Sequence, residues 1–362
     1  MSEKVNVKTV ISFAGAYVAT VIGSGFATGQ EIMQFFSFYG FAGIIGGIIS
    51  MVLFSWMGAS VMSKGKELQL KEPIKIYRVY CGKYLGIFFE WFGPLFLFGV
   101  FVVMISGAGA TLTEYYGLNP FVGRVGMAVV ALLTVSLGLD KLSKILGGIG
   151  PIIIIFTLLV GGISLAKNIG NIGEAAQVLS TVKIAKPVPN AYLSGVIYTT
   201  YNTIVVMAFL TGLGASLANK KSYLWWYIRW SSTYGAAIMM HLAILSDIGN
   251  LYSKAIPSLF LADKISPVIG VLFSIILILG IYTTAVPLLW SVTNRFVDDK
   301  HPKFKLITLI AILGLIGGFL PFDKLVGILY PYTGYMGVII LVCVLYRQIT
   351  KTSGYQEGIS DK

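Results

Sequence analysis

The chain has 362 residues, of which 56% are hydrophobic and only 12% are charged, and its mean hydropathy is +0.82. A soluble fold of this composition would carry more apolar surface than it could bury. The composition therefore excludes a soluble globular domain and indicates a polytopic integral membrane protein. The net charge of +12 is explained by membrane topology and anionic lipid headgroups, so it does not point to a nucleic-acid partner.

A window of about 20 apolar residues per span predicts an all-α fold with ten transmembrane helices. The predicted spans cover residues 9–36, 38–63, 85–112, 120–139, 143–166, 191–217, 222–245, 267–294, 304–320 and 324–347. The first span is far longer than the apolar region of a signal peptide, so we expect it to stay in the mature protein. We predict one transmembrane domain over residues 1–362, ending in a tail at 349–362.

The basic residues predict the orientation of these spans. One predicted face holds few of them, namely Arg124, Lys167, Lys183, Lys186, Lys254, Lys264 and Lys324. The opposite face holds the remaining clusters, including both ends of the chain. Because basic loops stay inside, we expect a multi-pass protein of the cell membrane with both termini in the cytoplasm.

Two predicted loops are longer than a connection requires. Residues 64–83, on the inner side, form a basic stretch interrupted by Pro73, and we expect a helix lying in the headgroup plane. Residues 247–267, on the outer side, predict a short amphipathic helix around 251–262 that contains Pro257. This outer segment is either a lid over the outer mouth or a passive connector.

The most informative motif is the stretch 18–31 in the first span, which contains three glycines, three hydroxyls, an amide and a carboxylate. Glycine weakens a helix and frees backbone groups, which a membrane tolerates only where they are buried in protein or line a cavity. Close packing through small residues explains Gly23 and Gly25 but leaves Gln30 and Glu31 unexplained. A broken first span is typical of a midplane site in secondary transporters, so we predict a ligand or ion site here.

Spans six and eight carry further polar clusters. Span six contains a cluster of hydrogen-bonding side chains from Ser194 to Thr203, and span eight contains Thr283 and Thr284 before Pro287. A single hydroxyl is readily satisfied by a carbonyl of its own helix. Three clusters in spans one, six and eight instead favour a shared polar site in the protein interior.

These features resemble the amino acid, polyamine and organocation transporters with the LeuT-type fold, and in particular the YkvI-type bacterial membrane proteins. The resemblance rests on ten spans, the Gly-Ser-Gly-Phe of the first span, the polar middle of span six and the Gly-x-x-Thr-Thr of span eight. It implies two inverted repeats of five helices, over about 9–167 and 191–348, with substrate held between broken spans one and six. Span six departs from the pattern because it has no glycine or proline at the expected break.

The resemblance also implies roles for individual residues. The substrate-binding residues would be Gly23, Ser24, Gly25, Phe26, Thr28, Tyr201, Asn202 and Thr203. A sodium ion would be held by carbonyls of Ala19 and Ile22 and by hydroxyls of Thr283 and Thr284. No other cofactor is expected. Such a site is physically reasonable because sodium takes oxygen ligands, and a helix break supplies carbonyls without a fixed charge.

Glu31, with its neighbour Gln30, matches no fixed ligand of that family, so its coupling or gating role is argued from physics. A carboxylate inside a span must be paired, solvated or neutralised. It would pair with a substrate amine, carry a coupling proton, or lie in a wet vestibule.

We therefore expect a secondary transporter of a small amino acid or related amine, working by alternating access and coupled to sodium or protons. The two distant histidines and the absence of a phosphate-binding loop or of paired carboxylates within spans argue against an enzyme. The alternative is a ligand-sensing, permease-like subunit of a membrane receptor complex, similar to those of germinant receptors, which binds without transport.

Overall fold

The structure is a computed structural model that describes residues 24–137, 143–215, 235–296 and 304–350. Every regular element in these residues is a helix. The α-helices are α1 (Ser24–Ala27), α2 (Gln30–Phe35), α3 (Ala42–Leu68), α4 (Ile76–Tyr116), α5 (Pro120–Leu137), α6 (Ser143–Asn168), α7 (Ala175–Thr181), α8 (Ala191–Ala215), α9 (Gly235–Leu245), α10 (Ile248–Leu251), α11 (Pro257–Ile265), α12 (Pro267–Asn294), α13 (Phe304–Gly317) and α14 (Phe322–Thr350). Short 3₁₀ helices lie at Ser37–Tyr39, Pro73–Lys75 and Ile169–Glu174.

Seven helical stretches among the described residues are long and apolar enough to cross a membrane. They are Ala42–Leu68, Pro73–Tyr116, Pro120–Leu137, Ile152–Thr181, Ala191–Ala215, Pro267–Asn294 and Phe322–Thr350. The shorter apolar helices α9 and α13 coincide with the seventh and ninth predicted spans. The all-helical membrane fold is thus confirmed, whereas the total of ten spans and the two five-helix repeats stay predictions.

The second span and the segment that leads into the third span differ from the prediction. Helix α3 begins at Ala42, because Gly40 takes a positive φ of 61° after a 3₁₀ turn. Helix α3 then continues to Leu68, so the predicted headgroup-plane helix over 64–83 is wrong for its first five residues. Pro73 begins a 3₁₀ turn that leads into α4, because proline fits a first helical turn better than a helix interior. Helix α4 is interrupted at Gly82 (φ 77°, ψ −173°), so residues 76–81 form a separate helical segment within the predicted stretch 64–83, and the helix after the kink begins near the predicted start of the third span.

The predicted break in span six is also wrong, because α8 is one α-helix from Ala191 to Ala215. Helix α8 packs closely on α3 and α14. Gly195 makes the first contact possible, since a Cβ atom at this position would overlap the carbonyl oxygen of Gly46 on α3. On the other side, the Thr200 hydroxyl donates to the Gly334 carbonyl of α14 at 2.7 Å. The polar middle of α8 therefore faces protein rather than lipid.

Candidate functional site

The first span is interrupted at Thr28 and Gly29, between α1 and α2. Gly29 has a φ of 78°, in the left-handed region that favours glycine. Ser24 and Gly25, which we predicted to be unwound, instead lie in the helical turn of α1. Three other predicted residues, Ala19, Ile22 and Gly23, lie outside the described residues. The structure therefore shows an interruption of the first span, a few residues later than the predicted one.

The carbonyl groups left free by this interruption are bonded to the segment 247–267. The backbone N–H of Ser258 donates to the Thr28 carbonyl at 3.0 Å, and its hydroxyl donates to the Ala27 carbonyl at 2.6 Å. Ser258 lies in the first turn of α11, which begins at Pro257. The carboxylate of Glu114 holds the preceding turn by accepting bonds from the N–H groups of residues 255 and 256. The outer segment thus packs directly on the break, although we predicted Pro257 to lie inside its helix.

Glu31 lies in the first turn of α2, and its side chain is 4% exposed. Its Oε2 atom accepts a hydrogen bond of 2.8 Å from the Tyr201 hydroxyl of α8. Its Oε1 atom lies over Gly25, at a place that a Cβ atom on Gly25 would overlap. Two residues predicted from separate spans, Glu31 and Tyr201, therefore meet directly, and a glycine of α1 makes room for the carboxylate.

Aromatic rings enclose this carboxylate. Tyr201 stacks on Tyr330 of α14 with 4.7 Å between ring centroids, and Tyr198 contacts Tyr201 edge to face at 5.4 Å. Phe35 and Phe96 pack against Tyr201 at 5.6 and 6.4 Å. Aromatic faces attract cations, and all five rings are buried. We refer to Glu31 with these five rings as the Glu31 cluster.

The described contacts give the carboxylate no cationic partner. The ion pairs among residues 24–137, 143–215, 235–296 and 304–350 join Lys64 to Glu67, Lys75 to Glu72, Arg78 to Glu90 and Lys264 to Asp247. A buried carboxylate needs a counter-charge, a proton or several donors. The cluster can accordingly bind a cationic group or take up a proton.

The remaining predicted substrate residues are buried but make mostly local bonds. Phe26 is buried in α1, and the Thr28 hydroxyl donates to the Gly25 carbonyl at 2.8 Å. The Asn202 amide donates to the Tyr198 carbonyl, and the Thr203 hydroxyl donates to the Thr199 carbonyl. These bonds along α8 remove the need for the predicted break, because the helix itself satisfies its polar side chains.

The predicted sodium-binding hydroxyls lie on α12, which contacts α1. Thr283 and Thr284 both donate to the Gly280 carbonyl, at 3.0 and 2.9 Å. A hydroxyl that donates its proton in this way keeps lone pairs for a cation. The described residues contain no group of three or more His, Cys, Asp or Glu side chains that could hold a metal ion.

Sequence reasoning missed two groups of residues near the break. Tyr198 and Tyr330 were not predicted as site residues, although both are tyrosines inside apolar spans, a signal that was available. Ser258 was also missed. It lies 230 positions after Thr28, and no short motif links the two.

No protein-family model matches the chain. The chain is 26% identical over 347 residues to the uncharacterized membrane protein YkvI of Bacillus subtilis, which covers 92% of this chain and 95% of YkvI. A stretch of 92 residues is 29% identical to the sodium/alanine symporter AgcS of Methanococcus maripaludis, covering 25% of this chain and 20% of AgcS.

Solved structures resemble the fold over nearly the whole chain. The structure of MhsT in complex with L-phenylalanine matches with a TM-score of 0.65 and 15% identity, over 92% of this chain and 88% of MhsT. The inward-facing conformation of Mhp1 matches with a TM-score of 0.52 and 13% identity, over 94% of this chain and 77% of Mhp1. The chain is a homologue of the membrane protein YkvI and shares the LeuT-type fold of the transporters MhsT and Mhp1.

Proposed function

We propose that the protein is a secondary active transporter of a small amino acid or related amine, working by alternating access. The observation that carries this proposal is the position of Glu31, a buried carboxylate beside the break in the first span that also contacts α8. Substrate sites of transporters with broken helices lie at such interruptions. The likeness to MhsT, whose structure contains L-phenylalanine, and to a sodium/alanine symporter supports an amino acid substrate.

Glu31 is the proposed partner of the substrate amine or of a coupling proton. An ammonium group entering the Glu31 cluster would supply the missing counter-charge and would contact the faces of Tyr198, Tyr201 and Tyr330. A proton would neutralise the same carboxylate without a ligand. Both roles require the carboxylate to exchange partners during the cycle, and its hydrogen bonds to the hydroxyls of Tyr201 and Tyr198 are to neutral groups that a cation or a proton can replace.

Sodium is the alternative coupling ion. Thr283 and Thr284 lie on α12, a helix that contacts α1, and have hydroxyl lone pairs to offer, and carbonyls of Ala19 and Ile22 would complete the ligand set. A membrane position with both termini in the cytoplasm, as the basic loops predict, would place the 247–267 segment on the outer side.

Counterflow in proteoliposomes tests this proposal. Proteoliposomes that contain wild-type protein and are loaded with an unlabelled substrate should accumulate the labelled form of that substrate. Each of the common amino acids and their decarboxylated amines is tested in turn. Glu31→Gln should raise the half-saturating concentration of an amine-bearing substrate more than tenfold, in line with roughly 2 kcal/mol for a charged contact. If Glu31 carries the coupling proton, the same variant should keep exchange but lose accumulation driven by a pH gradient.

The matched control is Glu67→Gln, because Glu67 pairs with Lys64 at the protein surface. An exposed pair contributes little, so this variant should behave as wild type. Ligand binding without counterflow would overturn the transporter proposal in favour of a ligand-sensing subunit. Unchanged counterflow and an unchanged pH profile in Glu31→Gln would remove Glu31 from the mechanism.

A further inference from the structure

A second site lies next to the Glu31 cluster, in a cavity of about 510 Å³ on the predicted outer side. Its walls come from α2, the linker 183–187 before α8, the turn 252–254 before α11, and the first turns of α14. This volume falls within the range of small-molecule sites. We refer to it as the outer cavity.

The rim of the outer cavity is positively charged. Four lysines line it against one carboxylate, that of Asp323; the lysines are Lys183, Lys186, Lys254 and Lys324. None of the four forms an ion pair with a described residue. Lys186 and Lys254 instead lie over the rings of aromatic residues, which leaves their charges uncompensated. A concave surface lined by one sign of charge concentrates ligands of the opposite sign, here anions.

The floor of the outer cavity favours a hydrogen-bond donor such as an ammonium group, whereas the rim favours an anion. Gln30 and Gln34 line it, and their side chains are 2% and 5% exposed. In both, the Oε1 atom is buried and has no hydrogen-bond partner among the described residues. The Gln34 amide nitrogen donates to the Asp323 carbonyl at 2.9 Å, which fixes its oxygen as the free group. Buried acceptors without a partner are rare, and these two call for an N–H donor from a ligand.

We propose that the outer cavity binds a small zwitterion, with its carboxylate held by the lysine rim and its ammonium group by the oxygens of Gln30 and Gln34. A plain amine would meet the positive rim, and a plain carboxylate would leave the two amide oxygens without a donor. The site therefore selects molecules that carry both groups. This inference does not depend on transport and holds equally for a protein that only senses its ligand.

The outer cavity and the Glu31 cluster are separate but adjacent. Gln30 lines the outer cavity, whereas the carboxylate of Glu31, the next residue, points toward Gly25 and Tyr201. Neighbouring residues of α14 also belong to different sites: Pro331 lines the outer cavity, and Tyr330 belongs to the Glu31 cluster. A ligand in the outer cavity is thus separated from the Glu31 carboxylate by one layer of residues.

Binding to purified full-length protein tests this proposal. The probes are L-alanine and L-phenylalanine, each with its decarboxylated amine and its deaminated acid, measured by isothermal titration calorimetry at low salt. The measurements use the Glu31→Gln background, in which the Glu31 cluster has lost its charge. We expect one bound amino acid per protein, at least tenfold weaker binding of both single-charge analogues, and weaker binding as salt is raised.

The decisive variant is Lys183→Gln with Lys186→Gln, which should weaken amino acid binding at least tenfold. The pair Lys183→Arg and Lys186→Arg keeps the charge and should retain binding, which separates a binding role from a folding role. Lys167→Gln is the matched control, because Lys167 lies in the last turn of α6 on the same predicted face and does not line the cavity.

Absence of amino acid binding in the Glu31→Gln background, equal binding in the double glutamine variant, or equal binding of the plain amines would overturn the proposal. Failure of the transporter proposal has a different signature, which is lost or absent counterflow while lysine-dependent binding persists.

Discussion

The polar residues of α8 and those that follow the break at Gly29 were predicted to serve one site, yet they bond in opposite ways. In α8 the side chains of Asn202 and Thr203 donate to carbonyls one turn earlier in the same helix. In α2 the Glu31 side chain reaches another helix, where it meets the Tyr201 hydroxyl. Asn202 and Thr203 have a hydrogen-bond partner within their own helix, whereas the Glu31 carboxylate depends on a partner from another helix.

This contrast separates structural polarity from functional polarity inside a membrane. A hydroxyl on a helix can be satisfied at short range, because the carbonyl four residues earlier lies within reach. The carboxylate of Glu31 instead takes its hydrogen bond from the Tyr201 hydroxyl of α8, so burial leaves it dependent on another element. The break in the first span is where such a dependent group is found.

The largest effect is expected from Gly25→Val. The new side chain would occupy the place of the Glu31 Oε1 atom and would push the carboxylate out of the Glu31 cluster. We expect counterflow activity to fall at least a hundredfold. The protein should remain monodisperse, because the atoms that the new side chain would displace belong to the Glu31 side chain and not to the backbone. Counterflow rates and size-exclusion profiles measure both properties.

Gly126→Val is the matched control for this substitution. Gly126 is also in a helix, α5, and a Cβ atom built on it meets no atom within 4 Å. This variant should retain wild-type counterflow. Normal activity in monodisperse Gly25→Val would show that the position of the Glu31 carboxylate does not matter for function.

The sequence predicts much of the fold because span length and hydropathy are local properties. Each predicted span after the first has a helix among the described residues, and most of these helices begin and end within a few positions of the predicted bounds. The exceptions are α3, which begins and ends a few residues later than predicted, the segment of α4 before the kink at Gly82, and α9, which is described only from Gly235. The break in the first span was also predictable from its glycines, although Gly29 rather than Gly25 has the left-handed conformation.

The site was less predictable because it depends on which atoms meet. The hydroxyls of span six suggested a broken helix, but a sequence does not show whether the preceding carbonyls are free to accept their bonds. The lysines of the outer cavity were read only as markers of topology. They come from segments near positions 183, 254 and 324, and nothing local in the sequence indicates that these segments surround Gln30 and Gln34.

A smaller effect is expected from Tyr201→Phe, which removes the hydroxyl that bonds to Glu31 but keeps the ring stacked on Tyr330. A hydrogen bond to a charged group contributes about 1.5–3 kcal/mol. We expect the half-saturating substrate concentration in counterflow to rise about tenfold, with little change in maximal rate. Tyr346→Phe is the control, because Tyr346 is exposed on the same helix as Tyr330. Equal effects of the two variants would mean that Tyr201 does not position the carboxylate.

The smallest effect is expected from Thr283→Val and Thr284→Val, whose hydroxyls bond within α12 as that of Thr203 does within α8. Loss of such a bond changes the free energy of unfolding by about 1 kcal/mol. If the hydroxyls also ligate sodium, each variant should lose most of the thermal stabilisation that sodium gives over choline, while its melting temperature in choline stays close to that of wild type. Thr308→Val is the matched control, since the Thr308 hydroxyl likewise donates to a carbonyl of its own helix, α13, at a position away from α1. Equal melting temperatures of wild-type protein in sodium and in choline would show that the hydroxyls of Thr283 and Thr284, like that of Thr203, serve their own helix alone, and would leave the proton on Glu31 as the coupling ion.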